Sequence, residues 1–143
     1  MTPSKFDSRI RRVMAEKHAW FESVEPPVAE DEVKKVESRL GRALPSQYKH
    51  FSLTFGGGYF GGVNISTLDE GSDWYVLARP TVKVARKTIL IVADDEAGGV
   101  FGFMPSDGGF ESRVIYVNPG DGNSLETASA SFFEFIEKFA LNF

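Results

Sequence analysis

Apolar residues recur at helical spacing in the first third of the chain, which predicts three helices there. The first runs from about residue 4 to 22 and ends before Pro26-Pro27, because proline lacks the amide hydrogen that a helix needs. The second covers about residues 30–40 and ends at Gly41. The third begins at Leu44-Pro45-Ser46 and is about ten residues long.

Short β-branched and aromatic runs follow the glycine-rich segment and predict five strands. They cover residues 63–66, 74–77, 88–93, 100–104 and 113–118. The run TILIVAD is apolar at both alternations, so we expect a central strand with both faces covered. The closing segment SASFFEFIEKFALNF predicts a helix with Ser131 and Glu134 as its capping box. Its apolar residues share one face: Phe132, Phe135, Ile136, Phe139, Ala140 and Phe143.

This order of elements predicts one α+β domain over residues 1–143. We expect N-terminal helices, then a mixed, mostly antiparallel sheet of about five strands, closed by the aromatic C-terminal helix. The chain has no cysteine, which excludes disulfides and thiolate metal sites. No segment has the apolar length of a membrane span, and the charged N-terminus differs from a signal peptide. We therefore expect a cytoplasmic protein that does not bind membranes.

Five glycines surround Tyr59 and Phe60 in the segment TFGGGYFGGV, and three of them have the spacing of a dinucleotide-binding loop. Such a loop follows a strand and opens a helix, whereas here a helix precedes and a strand follows. We interpret the segment as a helix end at Gly56 and a tight, irregular loop into the first strand. Whether Tyr59 and Phe60 are buried or face a partner is open.

Acidic residues are concentrated in the second half of the chain. Residues 88–127 contain seven acidic side chains and one basic side chain, and the net charge of the whole chain is −4. This balance argues against a nucleic-acid partner. The cluster Asp94-Asp95-Glu96 has three interpretations: a solvated loop, a metal or acid–base site, and an acidic recognition surface. The charge of this half favours the third.

Other candidate motifs are weaker. Asp121-Gly122-Asn123 begins like a calcium loop, but Phe132 stands where the closing glutamate should be, so we interpret it as a turn. His18 and His50, the two histidines, do not have metal-ligand spacing. In the segment SDWYVL, a tryptophan such as Trp74 more often packs within a sheet, although aromatic residues are also enriched at binding hot spots.

Three segments, in this order, resemble the SUKH superfamily over about residues 28–139. They are VAEDEVKKVESRLGRALPSQYKHFSLTFGGGYF, ILIVADDEAGGVFGF and SASFFEFIEKF. The resemblance assigns structural roles to Leu44, Pro45, Tyr48 and the pair Gly57-Gly58, and later to Asp94 or Asp95 with Gly98 or Gly99. Residues 1–27 lie outside it and form an N-terminal helical extension.

The resemblance implies a domain with no catalytic apparatus and no cofactor. Many bacterial members look like immunity proteins that bind polymorphic toxins directly, and fungal members regulate cell-wall synthesis through protein contacts. We expect a non-enzymatic immunity protein for a basic, nucleic-acid-binding toxin domain. The candidate partner-binding residues are Tyr59, Trp74, Asp94, Asp95, Glu96 and Asp121. The alternatives are a regulatory or scaffold module, and a small-molecule or metal-binding domain with its site at residues 94–96.

Overall fold

The computed structural model describes residues 1–142, and the predicted position of Phe143 on the last helix lies outside them. The helices are α1 (Pro3–Glu16), α2 (Glu30–Leu40), α3 (Ser46–Phe55) and α4 (Phe132–Phe139). The strands are β1 (Val24–Glu25), β2 (Gly57–Phe60), β3 (Val63–Ile65), β4 (Lys83–Val84), β5 (Lys87–Thr88), β6 (Leu90–Asp94), β7 (Val100–Phe103), β8 (Pro105–Ser106), β9 (Gly109–Phe110), β10 (Val114–Asn118) and β11 (Ser124–Ser129). The predicted α+β class is confirmed.

One sheet of seven strands carries the fold, in the order β1-β2-β3-β6-β7-β10-β11, and every neighbouring pair is antiparallel. The sequence predicted about five strands. β1 has only two residues, and β2 begins with two glycines, so neither has a readable apolar pattern. β11 is an edge strand with mostly polar side chains, which the apolar pattern also misses.

The strand predicted over residues 74–77 is wrong. This segment forms a turn and a short 3-10 helix at Val76–Ala78. Ser72 explains the turn, because its hydroxyl accepts the Trp74 amide at 3.1 Å and its carbonyl accepts the Tyr75 amide at 3.2 Å. Such local serine hydrogen bonds compete with strand pairing.

The core lies between one face of the sheet and the helices, and it is built largely from aromatic rings. Phe132 of α4 packs against Tyr48, Phe51 and Phe103, with ring centroids 5.3, 5.4 and 6.1 Å away. Each fully buried phenylalanine stabilises the fold by roughly 1.5–3 kcal/mol. α1 belongs to the same core, because Phe6 stacks on Phe133 at 3.9 Å.

The other face of the sheet is covered by a smaller apolar cluster under the β4–β5 hairpin. Ile89 and Ile91 belong to this second cluster, whereas Leu90 and Val92 belong to the main core. The two-sided burial predicted from TILIVAD is therefore confirmed.

The glycine-rich segment is a hairpin strand, and the predicted irregular loop is wrong. Gly56 ends α3, as predicted, and its φ is +84°. Gly57–Phe60 then forms β2, which pairs with β1 on one side and with β3 on the other. Phe60 is fully buried, and Tyr59 is half-buried on the opposite face. The next turn carries Gly61 at φ +64°, where a Cβ would overlap the Ala140 carbonyl oxygen.

We expect Gly61→Ala to lower the free energy of unfolding by about 2–4 kcal/mol, because alanine adds left-handed backbone strain and a backbone clash. Gly122→Ala is the matched control, since Gly122 has a similar φ of +68° but open space around its Cα. Gly122→Ala should lower the free energy of unfolding by only about 1–2 kcal/mol, because it adds backbone strain without a clash. Urea denaturation of both variants measures the difference, and equal losses would contradict the close approach to Ala140.

Candidate protein-interaction surface

The two adjacent aspartates at the end of β6 face opposite sides of the sheet. A bulge opposite β7 at Val92 places both Val92 and Ala93 on the helix side. Asp94 therefore faces away from the helices, in register with Asn64 of β3, and Asp95 turns toward the helix side. The predicted acidic cluster is split into two sites.

Asp94 forms an ion pair on the side away from the helices. Its carboxylate accepts Arg79 Nη1 at 2.6 Å and Asn64 Nδ2 at 3.2 Å, and the Arg79 guanidinium lies 5.8 Å from the Trp74 ring centroid. Glu96 accepts the same Asn64 amide at 2.9 Å. Tyr59 is the strand neighbour of Asn64. Four of the predicted partner-binding residues thus share one face, but Arg79 balances the charge of Asp94.

Asp95 is held by donors on the helix side. Its carboxylate accepts the Tyr116 hydroxyl at 2.7 Å and the amides of Ala97 and Gly99 at 2.8 and 3.0 Å. Burial acts to raise the pKa of Asp95, but the hydrogen bonds from Tyr116 and these amides outweigh it and hold the pKa below its usual value. A Cβ at Gly99 would overlap the Tyr116 hydroxyl, so Gly99 makes this contact possible.

Tyr116 lies in a row of side chains that crosses three strands. Phe101, Tyr116 and Glu126 are directly opposite one another on β7, β10 and β11, and they face the helix side. α4 covers Phe101, whose ring is 4.8 Å from Phe135 and 5.1 Å from Phe139. Tyr116 is only half-buried and Glu126 is exposed, so α4 covers this part of β10 and β11 only partly.

This partly covered end forms a cavity of about 590 Å³, which we name the edge groove. Its lining residues are Gly62, Val63, Asp95, Phe101, Tyr116, Glu126, Thr127, Ala128, Lys138 and Phe139. Rings form the apolar part of the groove, and carboxylates lie beside them.

The electrostatics of the edge groove are dominated by acids. The hydrogen bond to Asp95, partial burial, and the charges of Asp95, Glu126 and Asp121 together raise the pKa of Tyr116 above its usual value. Asp121, on the exposed β10–β11 turn, is thus close enough to act on this site. Lys138 is the one basic lining residue, and its Nζ donates to the Ala128 carbonyl at 3.3 Å.

The residues assigned structural roles lie mainly at the junction of α3 and the sheet. Tyr48 is fully buried and donates its hydroxyl to the Ser66 carbonyl at 2.6 Å, and burial raises the pKa of Tyr48. Leu44 is buried, and Pro45 is the residue before the first turn of α3. Gly98 has φ +99° in the loop after β6.

The metal-site alternative gains no support from the geometry. Within residues 1–142 no three histidine or carboxylate side chains are grouped so that they could hold a metal ion. Arg79 lies beside Asp94, and His50 Nε2 is 2.8 Å from an Asp7 carboxylate oxygen at the helix surface.

Sequence reasoning missed Tyr116 and Glu126, the central residues of the edge groove. Both lie on strands with ordinary alternation, and only the pairing of β10 with β11 places them opposite each other. The one sequence signal was the excess of acids in this half of the chain, which includes Glu126.

The fold and the edge groove define a small α+β domain with a helix-covered antiparallel sheet and an acidic, aromatic surface at one edge. The model of the SMI1 / KNR4 family (SUKH-1) matches residues 27–138 of the chain. The protein therefore belongs to this family, which confirms the resemblance seen in the sequence. No curated protein matches the chain. None of the helices in residues 1–142 combines the length and apolarity that crossing a membrane requires.

We expect Tyr116→Phe to lower the free energy of unfolding at neutral pH by about 1 kcal/mol, since a partly exposed hydrogen bond to a charged group is lost. The pKa of Asp95 is lowered on folding, so this contribution is complete above about pH 5 and disappears as the pH falls through the lower folded pKa. The pKa of Tyr116 is raised, so the contribution also declines above about pH 10.

Urea denaturation of wild type and variant from acid to alkaline pH measures this difference. Tyr59→Phe is the matched control, because Tyr59 is also half-buried on a strand but lies on the other face of the sheet, away from Asp95. A stability difference for Tyr116→Phe that does not change with pH would contradict the pairing with Asp95.

Proposed function

We propose that this protein is a non-enzymatic immunity protein that neutralises a toxin by direct contact through the edge groove. The observation that carries the proposal is the combination of half-buried Tyr116 and Phe139 with the acids Asp95, Asp121 and Glu126 at one partly covered sheet edge. Membership in the SMI1 / KNR4 family supports the immunity class, since many bacterial members look like such proteins.

The groove has the two components of a protein-binding site. Aromatic rings in a partly desolvated pocket supply most of the binding energy at hot spots, and Tyr116 and Phe139 occupy such a position. The surrounding carboxylates match a basic partner surface, such as one that binds nucleic acid. Complementary charge accelerates encounter and rejects partners of the wrong sign more than it sets final affinity.

The proposal retains only some of the predicted partner-binding residues. Asp95 and Asp121 remain partner-facing residues in the proposal, and Tyr116 and Glu126 join them. Asp94 contributes less, because Arg79 lies 2.6 Å from its carboxylate and balances its charge. A toxin bound at the edge groove would be inactivated by occlusion of its substrate-binding surface, without any chemical step in the immunity protein.

The direct test is growth rescue. Each toxin domain encoded beside this chain's gene is expressed with and without the protein, and we expect rescue from one of them. The absence of a neighbouring toxin gene, together with failure to rescue from every nearby toxin domain, would refute the proposal. Affinity capture that recovers only cell-wall synthesis or signalling proteins would indicate a regulatory module instead.

We expect the double variant Glu126→Lys with Asp121→Lys to slow association with the toxin by about tenfold or more at low salt, because charge steering is lost. The control is the double variant Glu30→Lys with Asp31→Lys, which makes the same change in net charge on the exposed first turn of α2. Association rates by surface plasmon resonance at two salt concentrations distinguish the pairs. An equal effect of both double variants would place binding elsewhere.

A further inference from the structure

A second groove lies at the opposite end of β6 and shares no lining residue with the edge groove. Its cavity volume is about 490 Å³, and β6 enters it at Leu90 and Ile91. Four basic side chains line it, from three separate segments: Arg42, Arg79, Arg86 and Lys87. We name it the basic groove. It has no acidic lining residue, although the chain as a whole has a net charge of −4.

Three of these charges have no carboxylate partner among residues 1–142. Arg42 is held in place by a 2.9 Å hydrogen bond from Nη1 to the Gly109 carbonyl and by the Phe110 ring, 5.6 Å from its guanidinium carbon. Arg86 and Lys87 are exposed on the β4–β5 hairpin. The groove therefore has about three uncompensated positive charges, which favour an anion with more than one negative charge.

Arg79, the fourth basic lining residue, is already paired with Asp94. Its Nε donates to the Ser66 hydroxyl at 3.0 Å and its Nη1 to Asp94, but its Nη2 is buried and has no hydrogen-bond partner within the described residues. Leaving a buried donor unpaired costs free energy, so native proteins rarely keep one. This Nη2 atom is enclosed by protein, so Arg42, Arg86 and Lys87 are the basic residues that an anion in the basic groove would contact.

The hairpin that presents Arg86 is strained. Ala85 and Arg86 both have positive φ, +51° and +68°, at the two turn positions where asparagine and glycine are preferred. Backbone strain of this kind clusters at functional sites. Here it holds a long basic side chain at the rim of the groove.

We propose that the basic groove binds a small organic phosphate. Arginine forms paired hydrogen bonds with phosphate oxygens, and a phosphate dianion suits three unbalanced positive charges better than a single carboxylate does. The apolar lining, which includes Leu77, Pro80 and Ile89, would contact the organic part. The volume lies within the range of small-molecule sites. This function is separate from the proposed toxin binding.

The test is isothermal titration of the full chain with pyrophosphate and, separately, with adenosine monophosphate, at constant ionic strength. We expect saturable binding of at least one of them and no binding of adenosine. The double variant Arg86→Gln with Lys87→Gln should weaken that binding by about tenfold or more. Lys5→Gln with Arg12→Gln, exposed on α1 outside the groove, should leave it unchanged.

Three results would overturn the proposal. They are the absence of saturable binding for both phosphates, equal binding of adenosine, and equal losses in the two double variants. The strain gives an independent check, because Ala85→Asn with Arg86→Gly should raise the melting temperature while weakening phosphate binding. A rise in melting temperature with unchanged binding would also count against the role of Arg86.

Discussion

The contact of Phe132 with Tyr48, Phe51 and Phe103 joins α4, α3 and the sheet, and the rest of the fold depends on it. Three elements far apart in sequence meet at one ring, so none of them can bury its apolar side without the others. α1 extends the same core through Phe6, although it lies before the residues that match the family. The helices are therefore fixed over one part of one face of the sheet.

This placement decides where the protein can bind. α4 is only eight residues long, so it covers Phe101 but leaves Tyr116 half-buried and Glu126 exposed on β10 and β11. The edge groove lies where the helix layer ends with Lys138 and Phe139, and it is acidic because Glu126 lies on the edge strand and Asp121 on the turn before it. The groove and the core result from the same packing geometry.

The acidic sequence at the end of β6 shows how one irregularity changes a site. Without the bulge at Val92, regular alternation would place Asp94 on the helix side and Asp95 on the other. With it, Asp94 pairs with Arg79 and Asp95 receives the Tyr116 hydroxyl. The Asp94 carboxylate joins the sheet to the segment that carries Arg79, and the Asp95 carboxylate holds the Tyr116 side chain in the edge groove.

The sequence by itself determined the elements whose signal is local. α2, α3 and α4, the two-sided burial of β6 and the family were all predictable, because helical spacing, proline and glycine act over a few residues. Only the tertiary structure decided the strand formed by Gly57–Phe60, the sides taken by Asp94 and Asp95, and the meeting of Tyr116 with Glu126. These depend on strand pairing between distant segments, and no local pattern in the chain encodes that pairing.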